Sequence, residues 1–294
     1  MSLLKIIHET AYQYDRPVRF GPHRLVLRPR EGHDLQVERM SLAISPAHTL
    51  EWCRDVFGNS VATVDFLAEA PELRIVSELA IRRRELPRMP GRPPVHVSHP
   101  VVCDGLEGPL AAAYLAPVYP AEASGLQDWA AQAISSADSG NAVSVVSALN
   151  QAIPRQIGYH RRLEGGVQTP LETLARRTGS CRDTATLLME ACRALGIAAR
   201  FASGYLDCPA SLAGRASAHA WAEAYFPGRG WKGFDPTLGG PADARHITIG
   251  LSNHPRGVMP VTGSYYGPKT AYLGMTVAVK FEPPPDRPSG MAAG

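Results

Sequence analysis

Two hydrophobic rhythms divide this chain, and a run of prolines separates them. Between residues 3 and 14, Leu4, Ile6, His8, Thr10, Tyr12 and Tyr14 fall on one side of an alternating pattern, the period of a β-strand. Further strands are expected at 24–27, 36–44, 60–66 and 73–81, with Pro- and Gly-rich turns between them. His8 and the tyrosines read as packed sheet residues rather than a ligand site. Beyond residue 99 the apolar spacing changes to three and four, at 126–135, at 142–153 and again at 181–195. The expectation is therefore an α+β chain. Residues 1–85 form a small antiparallel β-domain, and 86–98, with Pro87, Pro90, Pro93 and Pro94, form a linker. Residues 99–282 form a second domain with its core at about 150–240, ending in a last strand at 272–281, and 283–294 form a flexible tail. At 294 residues there is room for two modest domains.

The chemistry concentrates in the second rhythm. Ser180 and Asp183 make the S-x-x-[DE] capping pattern, Cys181, Ala185, Leu188, Cys192 and Leu195 share a helical face, and Gly196 supplies the stop. Cys181 thus falls on the first helical residue. Unpaired backbone N–H groups and the positive end of the helix dipole favour a thiolate there. Its own amide can begin an oxyanion hole.

Downstream, 218–226 alternates strictly, with His219, Trp221, Glu223 and Tyr225 on one face and alanines on the other. Residues 227–230 read as a turn and 231–235 as the returning strand. Folding this hairpin brings Asp235 opposite, or nearly opposite, His219. A thiol, an imidazole and a carboxylate in this order are the parts of an activated sulfur nucleophile. Glu223, on the same face as His219, is the rival for the carboxylate role. Tyr159, in Gly158-Tyr159-His160, is either a second oxyanion donor or a core residue. Trp221 is either a wall of the site and its core or a substrate contact. Asp183 reads as a helix cap.

These residues carry a resemblance. Gly179-Ser180-Cys181-Arg182-Asp183, the run from Gly196 to Tyr205, Ala218-His219-Ala220-Trp221-Ala222-Glu223 and Gly230-Trp231 through Asp235-Pro236-Thr237 resemble the bacterial transglutaminase-like superfamily. Its members are often described as candidate cysteine proteases. The N-terminal stretch is similar to the β-rich region that precedes the domain in such proteins. It shows Ile6-x-His8-x-Thr10-x-Tyr12-x-Tyr14, Leu27-Arg28-Pro29-Arg30 and Asp55-Val56-Phe57-Gly58-Asn59. The resemblance implies a papain-like or transglutaminase-like core, a catalytic helix packed on an antiparallel sheet, with Cys181 as nucleophile, His219 as base and Asp235 as orienting acid. Two positions depart from the pattern. Thr184 stands where a large apolar residue is expected, and 247–263 lacks the charged Gly-Arg-Asp-Tyr run, altering a loop expected to border the substrate.

Composition narrows the remaining classes. A net charge of +3 with scattered arginines argues against nucleic acid as a partner. Five cysteines without a C-x-x-C pair argue against zinc and against a disulfide scaffold, so neither metal nor cofactor is expected. The N-terminus does not read as a signal peptide, and no stretch approaches a membrane span, so a cytoplasmic setting is the expectation. The function expected is amide or peptide hydrolysis through a thioester, acting on a peptide or protein. The alternatives are transglutaminase chemistry, in which a primary amine takes the acyl group, and a non-catalytic peptide-binding module.

Overall fold

The computed structural model describes residues 2–84, 95–162, 165–208 and 218–282. Most of the expected linker and the whole expected tail, 86–94 and 283–294, lie outside the described residues. The first rhythm folds as β1 (Ser2–Phe20), β2 (His23–Leu25), β3 (Leu35–Ser45), β4 (His48–Arg54), β5 (Ser60–Phe66) and β6 (Ala70–Arg83). β1 pairs with β6 and β6 with β3, while β2 and β4 flank β5 in a second sheet, all antiparallel. Tyr14, Phe20, Leu25, Val64, Leu73 and Ile75 pack in one cluster drawn from both sheets. Strand β4 carries no clear alternation in the sequence and is fixed by pairing along β5.

The second rhythm supplies α1 (Gly108–Ala112), α2 (Ala123–Ala133), α3 (Ala142–Gln156), β7 (Gly158–Tyr159), α4 (Pro170–Arg176), β8 (Thr178–Gly179) and α5 (Cys181–Ala194). There follow β9 (Ala199–Leu206), β10 (Ala218–Phe226), β11 (Gly230–Asp235), β12 (Gly240–Pro241) and β13 (His246–Ser252), which make a sheet in the order β12-β11-β10-β9-β13. Helix α5 lies on this sheet because its small and apolar residues meet the alanine face of β10. Ala185, Leu188 and Cys192 share a core with Ala220, Ala222 and Ala224. No helix among the described residues is long and apolar enough to cross a membrane. The α+β class and the helix-on-sheet core are those the sequence calls for.

The last strands cross back to the N-terminal region. β14 (Val261–Thr262), β15 (Tyr265–Tyr266) and β16 (Tyr272–Glu282) do not extend the helix-bearing region but return to the first one. β14 pairs with β2, β15 with the end of β1, and β16 with β1 from Lys5↔Glu282 to Tyr14↔Tyr272. The period-two pattern at 272–281 identifies a strand but carries no information about its partner. β16 covers the long edge of β1 that β6 leaves open, an edge that would otherwise be a template for aggregation.

The two regions share a third core. Ile6, Leu79, Ile81 and Val279 of the β-sandwich pack against Tyr205, Ile247 and Ile249. Strand β13 is gripped by polar contacts as well. Asp55 Oδ1 accepts from the backbone N–H of Phe57 and Asn59, shaping the turn between β4 and β5. The buried Asn59 side chain then donates to Leu251 O at 2.8 Å and accepts from Leu251 N at 2.9 Å, imitating a neighbouring strand. Arg30 N donates to Thr248 O at 2.8 Å. The Leu-Arg-Pro-Arg and Asp-Val-Phe-Gly-Asn motifs are thus docking elements for β13. The stretch from 247, expected as a substrate-bordering loop, begins as this buried strand.

Because Ile249 is fully buried in the shared core, Ile249→Ala should destabilise the chain by about 2–5 kcal/mol. Urea denaturation followed by fluorescence and by far-UV circular dichroism measures this. A loss below about 1 kcal/mol would mean that the shared core contributes little.

Candidate active site

Cys181 is the first residue of α5, preceded by Ser180 in an extended conformation. The turn that presents it is held by Asp183, whose carboxylate is fully buried. Asp183 Oδ2 accepts from Ser180 N and Ser180 Oγ, both at 2.8 Å. Its Oδ1 accepts from Gln168 N and from Arg162 Nη1, also at 2.8 Å. Asp183 is therefore a helix cap that fixes where the sulfur sits. Thr184, the departure noted above, bonds Ser180 O and Cys181 O and meets Thr237 Oγ1 at 3.3 Å, tying the first turn of α5 to the turn after Asp235.

The β10–β11 hairpin pairs Ala222 with Phe234 and Phe226 with Gly230. Continuing that register sets Asp235 across from Trp221, one diagonal step from His219 on the same face. The imidazole spans the diagonal, and His219 Nε2 lies 2.9 Å from Asp235 Oδ2. Glu223, the rival carboxylate, is engaged elsewhere. It binds Arg200 at 2.7 Å, and that guanidinium stacks on Trp231 at 3.9 Å.

A residue that the sequence reading missed completes the group. His246, the first residue of β13, places Nε2 3.1 Å from the same Asp235 Oδ2. Thr237 N and Leu238 N donate to Oδ1 at 2.9 and 3.3 Å. Nothing local distinguishes His246 in the sequence: it opens an Ile-Thr-Ile alternation, and only the sheet order brings it near Asp235.

These contacts set the charges. Burial alone would raise the Asp235 carboxyl, but the two imidazoles pull it far below the ordinary value of 3.8. Burial works against a charge on His219 too. Hydrogen bonds to Asp235 and to the Cys181 sulfur outweigh it and raise the imidazole from 6.5 to about 10. With Nε2 directed at Asp235, Nδ1 is the ring nitrogen left for the sulfur. The raised pKa favours an imidazolium at neutral pH, paired with the Asp235 carboxylate.

His219, Asp235 and His246 place three ligand-type atoms within 4.8 Å of one another, a set that could hold a metal ion. Hydrogen bonding accounts for the cluster more simply. Both Nε2 atoms point at one carboxylate oxygen, and a protonated ring nitrogen has no lone pair for a metal.

The two remaining candidates differ in exposure. Tyr159 pairs with Gly179 in a short parallel bridge and is 43% exposed. Burial raises its phenol, a nearby Cys181 raises it further, and Arg161 and Arg182 oppose this, so the hydroxyl lies within electrostatic reach of the sulfur. Trp221 is 1% exposed. Its indole crosses Gly204 and Gly233, where a Cβ would collide with the ring or its surroundings, and it meets His246 edge-on at 5.1 Å. It is a floor under the imidazoles.

Comparison with known proteins finds related families in both regions of the chain. Residues 4–82 match the bacterial transglutaminase-like N-terminal region, and residues 127–236, which contain Cys181, His219 and Asp235, match the transglutaminase-like superfamily. The chain thus carries a transglutaminase-like core region at 127–236. An uncharacterised protein of Mycobacterium leprae is 24% identical to it over 95% of this chain and 99% of its own length. An uncharacterised protein of Mycobacterium bovis is 29% identical over 89% of this chain and 87% of its own length. Among solved structures, a candidate cysteine protease from Cytophaga hutchinsonii superposes with a TM-score of 0.71. It is 21% identical and the match covers 95% of this chain and 90% of that one, a likeness of fold. His246 lies beyond the residues that match the superfamily model.

The raised imidazole makes a prediction about stability. A group whose proton is held more tightly in the folded state stabilises fully below its unfolded value and loses that contribution as pH rises through its folded value. For His219 the window runs from 6.5 to about 10. Wild type should therefore lose more stability across this window than His219→Gln, as denaturation midpoints at pH 6, 8 and 10 would show. Parallel losses in the two proteins would refute the assignment.

Proposed function

We propose that this protein is a cysteine-dependent amide hydrolase acting on peptides or proteins through Cys181, His219 and Asp235. The observation that carries the reading is the arrangement at the start of α5. A sulfur at the first helical position is near enough to an imidazole to raise its pKa, and the Nε2 of that imidazole sits 2.9 Å from a buried carboxylate.

Chemistry follows from that arrangement. The Cys181 sulfur, as thiolate beside the His219 imidazolium, adds to the amide carbonyl carbon, and the carbonyl electrons move onto oxygen. The backbone N–H of Cys181, at the start of α5, receives this oxyanion, with the Tyr159 hydroxyl as a second donor. His219 gives its Nδ1 proton to the leaving nitrogen, the C–N bond breaks, and a thioester remains. The now neutral imidazole takes a proton from water, hydroxide oxygen adds to the thioester carbon, and the C–S bond breaks to release the acid and restore the thiolate. Asp235 keeps Nε2 protonated throughout, so that Nδ1 is the nitrogen that exchanges protons. A primary amine in place of water would give transamidation by the same steps.

Mass spectrometry of products from an amide and peptide panel, with and without added primary amine, tests this reading. Cys181→Ala should form no acyl-enzyme, and Asp235→Asn should lose roughly a hundredfold to ten-thousandfold in kcat while staying folded. A transamidated product dominating in the presence of the amine would replace hydrolysis with acyl transfer. Turnover by Cys181→Ala would remove the nucleophile from the scheme altogether.

A further inference from the structure

Asp235 has an acceptor role that the three-residue scheme leaves unexplained, because a second imidazole converges on the oxygen that His219 uses. Asp235 Oδ2 is 2.9 Å from His219 Nε2 and 3.1 Å from His246 Nε2. The His246 side chain is nearly as buried as the carboxylate, at 2% against 1%. Its other nitrogen is also committed. The backbone N–H of Asp243 is directed at His246 Nδ1 at 3.0 Å. An amide hydrogen needs a lone pair, so Nδ1 is the bare nitrogen and the ring proton resides on Nε2. An approach of Nδ1 to Asp243 Oδ1 at 3.3 Å is the longer of the two contacts on that nitrogen, and that carboxylate is already paired with Arg245.

We propose that His246 is a positioning residue: a neutral imidazole, its tautomer fixed by the Asp243 N–H, whose Nε2–H holds Asp235 Oδ2 in place for His219. This rests on the triad reading above.

The consequence is geometric. With only Thr237 N and Leu238 N on Oδ1, the carboxylate could pivot about its Cβ–Cγ bond and carry Oδ2 away from His219. A second donor on Oδ2 fixes that torsion. The donor is itself anchored, because His246 begins the strand that Asn59 and Arg30 grip from the β-sandwich. Trp221 closes the group by packing edge-on against the His246 ring. The superfamily match ends before this strand, so in this chain the element completing the site comes from outside the matched region.

Two variants of similar size separate hydrogen bonding from packing. His246→Gln keeps an N–H donor, and His246→Met removes it. His246→Met should lose roughly tenfold to a hundredfold in kcat on the amide substrate with KM within about twofold, the scale of a hydrogen bond to a charged group. His246→Gln should retain most of the rate. Equal losses in both, or none in His246→Met, would overturn the proposal. A readout on the unmodified full chain does not depend on any variant folding. The 15N chemical shifts of its histidine side chains should show His246 protonated at Nε2 and bare at Nδ1, and the opposite tautomer would overturn it. Asp235→Asn separates this proposal from the one beneath it. If Asp235→Asn remains fully active, the triad itself fails. If Asp235→Asn is inactive while His246→Met matches wild type, only the role of His246 fails.

Discussion

A carboxylate taken out of water is unstable unless its lone pairs are filled, and Asp235 is buried completely. Four N–H groups fill them: His219 and His246 on one oxygen, Thr237 and Leu238 on the other. Each donor comes with its own structural requirement. His219 needs β10 in register, Thr237 and Leu238 need the turn after Asp-Pro, and His246 needs β13 at the far side of β9. The carboxylate therefore reports on the whole sheet, and an error in any of these elements would leave a buried charge short of a partner. Its negative charge in turn keeps His219 protonated against the cost of burial, and so sets the electrostatic surroundings of the sulfur.

Much of this was legible from residue order. The helix start at Cys181, its capping pair and the β10 hairpin are local features, in which propensity, capping chemistry and turn residues agree with the final fold. Asp235 was identified because a hairpin register is determined by a short turn. The sequence analysis expected it opposite or nearly opposite His219, and the diagonal offset falls within the reach of an imidazole. What sequence could not supply was long-range partnership. The strand at 272–282 is plain as an alternating segment, yet its pairing with β1 joins residues more than 250 positions apart. His246 escaped for the same reason, since its importance comes from lying two strands away from Asp235's hairpin partner. Likewise Asp55 to Asn59 entered only as part of the N-terminal resemblance, and only the fold shows that its asparagine bonds the backbone of β13.

The β-sandwich then supports the site from behind β13. It buries Ile247 and Ile249 on one side of β13 and satisfies backbone groups of Thr248 and Leu251. These contacts fix the strand whose first residue bonds Asp235. A rigid support placed behind a catalytic group improves its geometry without touching the substrate.

The return of the chain to β1 has a consequence for how such a protein is made. A ribosome makes β1 well before β16, so this edge of β1 lacks its partner while the residues between the two strands are synthesised. Sulfur, imidazole and carboxylate are all made within that interval, but the sandwich that steadies β13 closes only when Tyr272–Glu282 arrives. The topology therefore acts as a clock on the site: a chain that has passed β13 but not reached β16 carries Cys181, His219 and Asp235 and still lacks the strand that completes the scaffold behind them.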